Sequence, residues 1–216
     1  MFLKIAFIKK SLNVNEPLPS LTVSGGNLTF NGTVTNLTFS GGSLGGTNTV
    51  LGTMDWTGGT IANAAAVTVD TGAVLNLGGS AMVSLYGVLT NAGTVNWTGT
   101  GNLLVYNDGA GFNGGIYNLA GALFSIQNDQ YLSGGYAYPF FNNAGTVRKS
   151  GATGLTTLNI PFNNSGTLDV QSGTVSLGTG GVLGGSATVA AGAQLNFAGG
   201  SFTLGGFSAT GVPGSQ

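Results

Sequence analysis

The phrase FNNAGTVRK at 141–149 returns as FNNSGTLDV at 162–170, and a cousin, LTNAGTVNW, stands at 89–97. A chain that changes its charged residues freely while keeping glycine, threonine and an apolar–polar alternation is built from repeats. That confines the fold to architectures in which each short unit packs on its neighbours. Further copies align on their glycines: NGTV at Gly32, LGTMDW at Gly52, TGAVLNL at Gly72, AGTVNW at Gly93, AGALFSI at Gly121, AGTVRK at Gly145, SGTLDV at Gly166 and AGAQLNF at Gly192. Their spacing is uneven, shortest over the first few units and longest between Gly93 and Gly121, so the unit tolerates insertion.

Within each unit the period is two. Thr53-Met54-Asp55-Trp56 and Thr167-Leu168-Asp169-Val170 alternate apolar with polar side chains, which is the pattern of a strand with one face on a core. Frequent GG, NG and SG pairs break the strands every few residues, and no glycine-free window carries a helical stripe. A propeller blade needs about twice this unit length. A sandwich does not require one residue type to recur at one register. A parallel β-solenoid does, so the expected fold is all-β, a single-stranded β-helix with coils of about 20–28 residues. Known wide solenoids favour a right-handed winding, and so short a unit leaves a left-handed one open. Eight or more coils at about 4.8 Å each make a rod of roughly 40 Å.

The recurring residues then acquire physical roles. Val34, Met54, Val74, Val95, Leu123, Val147, Leu168 and Leu195 are expected to form one inward aliphatic column. Glycine before them allows a sharp corner. Asn91, Asn143 and Asn164 are expected to stack as an amide ladder. Trp56 and Trp97, at one place in their units, read as an inherited packing position in preference to a sugar platform. The expected organisation is an N-terminal irregular segment or cap over 1–20, the solenoid over 21–205, and a tail over 206–216.

Composition removes most chemistry. Charged residues are only 5% of the chain, against about 25% in ordinary soluble domains. Five basic and six acidic residues give a net charge of −1, so no phosphate-neutralising stripe exists and nucleic acid is not an expected partner. Histidine and cysteine are both absent, which excludes Ser-His-Asp and Cys-His nucleophiles, thiolate metal sites and disulfides. No metal or cofactor is expected. The opening MFLKIAFIKK places its lysines within and after a short apolar stretch, the reverse of a secretory signal, and no run is long enough to cross a bilayer as a helix.

Repeats carry function where they stop repeating. The two longest consecutive departures in the middle of the chain, Gly93 to Gly121 and Gly121 to Gly145, place their extra residues around YNDGAGFNGG at 106–115 and QNDQYLSGGYAYPFF at 127–141. If these insertions leave from one corner they project side by side and gather Tyr106, Asp108, Tyr117, Asp129, Tyr131, Tyr136 and Tyr138. Aromatic faces beside amides and carboxylates suit a neutral polysaccharide or other cell-surface glycan. Asp108 and Asp129 are the best available pair for glycoside cleavage, provided they face one another about 5–9.5 Å apart. An eliminase using Arg148 or Lys149 as base rests on fold analogy. These remain weak catalytic candidates, and the chain is not expected to be an enzyme; if it is one, it is a polysaccharide hydrolase or lyase.

The phrases NAGTVNWTG, AGALFSIQND, FNNAGTVRKS and PFNNSGTLDVQSGTVSL resemble the Gly/Thr-rich repeats of large bacterial exported or cell-surface proteins, and more remotely autotransporter passengers and filamentous-haemagglutinin-like adhesins. The resemblance covers about residues 21–205. It implies a parallel β-helix located extracellularly or at the cell surface, with adhesive or matrix roles and no defined catalytic residues; end-to-end self-association is expected separately, from the near-zero net charge and the uncapped C-terminal end of the rod. The expected functions, in order, are a structural or adhesive module, a carbohydrate-binding module and a polysaccharide-degrading enzyme.

Overall fold

The computed structural model describes residues 2–5 and 9–212, with side chains from residue 11 onward. All described regular elements are strands, and the chain winds as a parallel β-solenoid of about ten turns. At the spacing of stacked strands this is a rod of roughly 50 Å. Each turn contributes three strands, one to each of three faces. Ala66–Val69, Val74–Leu77 and Val83–Leu85 of one turn pair with Val88–Asn91, Thr94–Trp97 and Leu103–Tyr106 of the next. We call these the first, second and third faces.

The alternation in sequence becomes alternation in burial. In Thr94–Trp97, Val95 and Trp97 are buried while Thr94 and Asn96 are partly exposed. On the second face the inward column runs Leu37, Met54, Leu75, Val95, Phe124, Val147, Leu168, Ala187. Beside it Phe39 and Trp56 stack with ring centroids 5.9 Å apart, and Trp97 is equally buried. Both indoles donate Nε1–H to backbone carbonyls, Trp56 to Gly58 and Trp97 to Gly101. They are core residues, as the packing reading requires. On the first face Phe141 lies 5.1 Å from Phe124 and 5.3 Å from Phe162, so aromatic contacts link adjoining faces and successive turns. Each such pair adds about 0.5–1.5 kcal/mol beyond its burial.

The expected inward column needs four corrections. Val74 and Leu123 are only half-buried; their neighbours Leu75 and Phe124 point inward instead. Val34 belongs to the first face, where it pairs with Val50, and Leu195 to the third, where it pairs with Val175. The cause is that glycine marks two kinds of corner. At Gly72 and Gly121 a β-turn closes, with Ala73 N–H bonding Asp70 O at 2.9 Å and Ala122 N–H bonding Leu119 O at 3.0 Å. Glycine there has φ near +80°, which other residues adopt only with strain. Gly93, Gly145 and Gly166 have no positive φ; a Cβ on them would collide with carbonyl oxygens of the preceding turn. The β-turn corner is two residues longer, one on each side of its glycine, which moves the next inward residue one place further from that glycine.

Strand pairing also runs past both expected boundaries of the solenoid. Phe2–Ile5 and Lys9–Asn13 pair in parallel with residues 20–23 and 27–31, and Ser208–Gly211 pairs with Ser186–Val189. The remaining residues of the expected N-terminal segment, 1 and 6–8, and the last four of the expected tail, 213–216, lie outside the described residues.

Candidate functional site

The two insertions meet at the corner between the third and first faces. Leu103–Tyr106 stacks on Tyr131–Gly135, and Gly115–Asn118 stacks on Phe141–Asn143. Residues 107–114 therefore loop out directly beside residues 136–140. Backbone bonds tie the loops together: Asn107 N–H to Gly135 O at 3.2 Å, Tyr138 N–H to Asn107 O at 3.0 Å, and Ile116 N–H to Phe140 O at 3.0 Å.

An aromatic cluster fills the corner. Tyr106 meets Tyr86 edge-on at 4.8 Å and Tyr136 at 5.9 Å. Phe112 lies 4.7 Å from Tyr86 and stacks on Tyr136 at 5.8 Å with an interplanar angle of 17°. Tyr138 lies over Gly109, where a Cβ would come within 3.0 Å of its ring. Around the corner Tyr117 contacts Phe140 at 5.0 Å. Gly135 and Gly115 make room for Tyr106 and Phe140 respectively, since a side chain at either would overlap the ring.

Tyr136 is the unusual member. Its φ is +70°, a region that costs a residue with a Cβ about 1–2 kcal/mol, yet its side chain is not used to fill the core, since 65% of the residue is exposed. Tyr138 is 62% exposed.

Asp108 organises the first loop. Its Oδ1 accepts backbone N–H bonds from Ala110 (3.0 Å), Gly111 (2.7 Å) and Phe112 (2.8 Å). The N–H groups of Ala110 and Phe112 lead in holding its carboxyl below the ordinary carboxylate range, with Gly111 adding to them and slight desolvation opposing. A carboxyl stabilised in its charged form is the opposite of a general acid. All three bonds fall on Oδ1, which leaves Oδ2 without a partner among the described residues.

Asp129 and Tyr131 are not at this corner. Tyr131 opens the strand that ends at Gly135, and its N–H bonds Asn102 Oδ1 at 3.1 Å. Asp129 sits just before it, at the corner between the second and third faces. The length of the five-residue strand, roughly 16 Å, separates this end from the aromatic corner. That exceeds the separation of about 5–9.5 Å required for glycoside cleavage. Asp129 instead bonds Lys149 Nζ at 2.7 Å, with 40% of its side chain exposed and the lysine fully buried. Lys149 also donates to Asn128 O at 2.8 Å and Thr156 Oγ1 at 2.9 Å. Arg148 pairs with Asp169 at 2.8 Å on the outside of the second face. Neither basic residue is a free base beside the tyrosines.

Tyr106, Asp108, Tyr136 and Tyr138 are thus brought together, Tyr117 flanks them, and Asp129 and Tyr131 lie apart. Tyr86 and Phe112 are members that the sequence reading missed. Tyr86 stands one repeat before Tyr106 and next after the inward Leu85, so the repeat register alone marked it as the ring stacked beneath Tyr106.

No family model, curated protein or solved structure matches this chain.

Proposed function

We propose that the chain is a stiff structural segment of an adhesive, surface-displayed kind, one that spaces or presents what is attached to it. The observation that carries this reading is the buried amide ladder. Asn91 donates to Asn118 at 2.7 Å, Asn118 to Asn143 at 2.7 Å, and Asn143 to Asn164 at 2.6 Å. Each also donates to a backbone carbonyl one turn on: Asn91 to Leu123, Asn118 to Thr146, Asn143 to Thr167 and Asn164 to Ser186. Such a ladder locks four turns in register through the interior and contributes nothing to a cleft, which suits a rod more than an enzyme. The resemblance to bacterial exported repeat proteins supports the same reading. The last described turn leaves Phe197 and Leu204 exposed, an apolar surface that suits contact with a second copy.

Two measurements test the proposal. Small-angle scattering of the purified chain should give a rod-like profile with a long dimension of roughly 50 Å, about ten turns at the strand spacing. Antibody labelling of intact producing cells should reach the protein. A globular scattering profile, or epitopes reached only after lysis, would overturn it.

A further inference from the structure

The geometry points to a binding site for a neutral polysaccharide at the corner between the third and first faces, with Tyr136 and Tyr138 as stacking platforms and Asp108 Oδ2 as hydroxyl acceptor. This goes beyond a spacer role and does not depend on where the protein is displayed.

Three independent observations converge. The first is the strained tyrosine. At φ +70° a glycine would sit without strain, yet the position holds a large ring that is mostly in solvent. The ring is stacked on Phe112 at 17° and braced by Tyr106, so it is a fixed flat surface and not a mobile side chain. Tyr138 is held likewise over Gly109, on the loop that Asp108 organises. The second is Asp108 itself, a carboxylate kept charged and rigid by three backbone donors on one oxygen while the other oxygen is open. The third is charge. Residues 103–118 and 131–143 contain no lysine or arginine, so sulfate, phosphate or uronate groups meet no counter-charge and are repelled by Asp108.

A neutral polysaccharide answers all three. Sugar rings present C–H groups to the negative faces of aromatic rings, and their hydroxyls donate charge-assisted bonds to a carboxylate. A neutral polymer asks for no cation. Two tyrosines and a carboxylate on adjoining loops form an open platform, the shape that suits a chain more than a single small sugar.

The test is affinity gel electrophoresis followed by titration calorimetry, using purified protein against a β-glucan, a xylan, a mannan and a galactan, with a sulfated polysaccharide as the charged control. At least one neutral polymer should bind, and the sulfated one should not. Tyr136→Gly removes the platform and relieves the backbone, so it should weaken binding tenfold or more with no fall in thermal midpoint. Tyr138→Ala should weaken it several-fold. Asp108→Asn keeps the Oδ1 acceptor and should lower affinity by a smaller factor. The inference fails if no neutral polymer in the panel binds, if the sulfated polymer binds better, or if Tyr136→Gly and Tyr138→Ala bind like the parent. It also fails if light scattering shows that this corner joins two copies of the chain and that Tyr136→Gly separates them.

Discussion

One inward column of the first face is written in two chemistries. It begins Val34, Val50, Val69, continues Asn91, Asn118, Asn143, Asn164, and returns to aliphatic at Leu183. The backbone pairing is the same throughout, and all these residues are buried. The aliphatic stretch is held by non-directional burial, about 25 cal/mol per Å² of apolar surface, which tolerates sliding and exchange. The amide stretch is held by directional bonds that exist only at one register. It coincides with the two longest turns of the column: Asn91 and Asn118 are 27 residues apart and Asn118 and Asn143 are 25 apart. Directional bonds therefore fix register where insertions would otherwise let turns slip. A polar core is stable here because every amide donates to the turn above while its oxygen accepts, from the amide below at Asn118, Asn143 and Asn164 and from Gly93 N–H at Asn91.

That comparison is most sharply broken at Asn118. Asn118→Leu removes the acceptor of Asn91 and the donor to Asn143, at about 1–3 kcal/mol for each buried group left without a partner. Urea unfolding should show the loss. Changing Asn91, Asn118, Asn143 and Asn164 together to valine should cost less than the four single changes summed, because no amide is then left unpartnered. A sum that simply adds would mean that the ladder is four separate side chains.

The two corners give a smaller pair of effects with different causes. Gly145→Ala forces a Cβ against the carbonyls of Leu119 and Ala122 in the turn below and should cost about 3 kcal/mol. Gly121→Ala has open space around its Cβ and only the strain of φ +83°, about 1–2 kcal/mol. Thermal midpoints of the two variants should fall in that order.

The smallest effect belongs to the loop at Asp108. Its carboxyl titrates below the ordinary value in the folded chain, so its contribution to stability is present above the unfolded pKa and is lost as pH falls through the depressed folded one. Protection factors at Ala110, Gly111 and Phe112, taken relative to the intrinsic exchange rate at each pH, should therefore fall on acidification below about pH 4, and Asp108→Asn should remove the dependence.

The period of two and the glycine spacing were enough to read a parallel solenoid, because stacked turns demand like residues above like. Three of the four ladder asparagines were legible for the same reason. Asn118 was not, because its corner contains the β-turn at Gly121 and carries the amide three residues before glycine instead of two. The misassigned Val34 and Leu195 have the same origin: glycine appears at every corner, so counting from glycine does not say which face follows. The aromatic corner was half legible. Insertions in neighbouring turns do leave together, which joined Tyr106 to Tyr136 and Tyr138. Asp129 and Tyr131 lie in the same stretch of sequence but stand at the start of the strand whose far end Tyr136 and Tyr138 follow, and distance along a strand is hidden from residue spacing.

The central physical claim is that turns stack face on face while their extra residues are expelled at corners, so that residues far apart in sequence touch where nearer ones do not. The chain has no cysteine, so introduced pairs report without background. Thr90 and Tyr117 are register partners, partly or largely exposed on the first face, whereas Ala110 lies out in the corner loop. Stacked strands bring such partners within disulfide reach. Under mild oxidation, cysteines at 90 and 117 should cross-link quickly and cysteines at 90 and 110 should not, scored by mobility and peptide mass. Rapid bridging of the 90–110 pair, with the 90–117 pair left open, would contradict stacked turns.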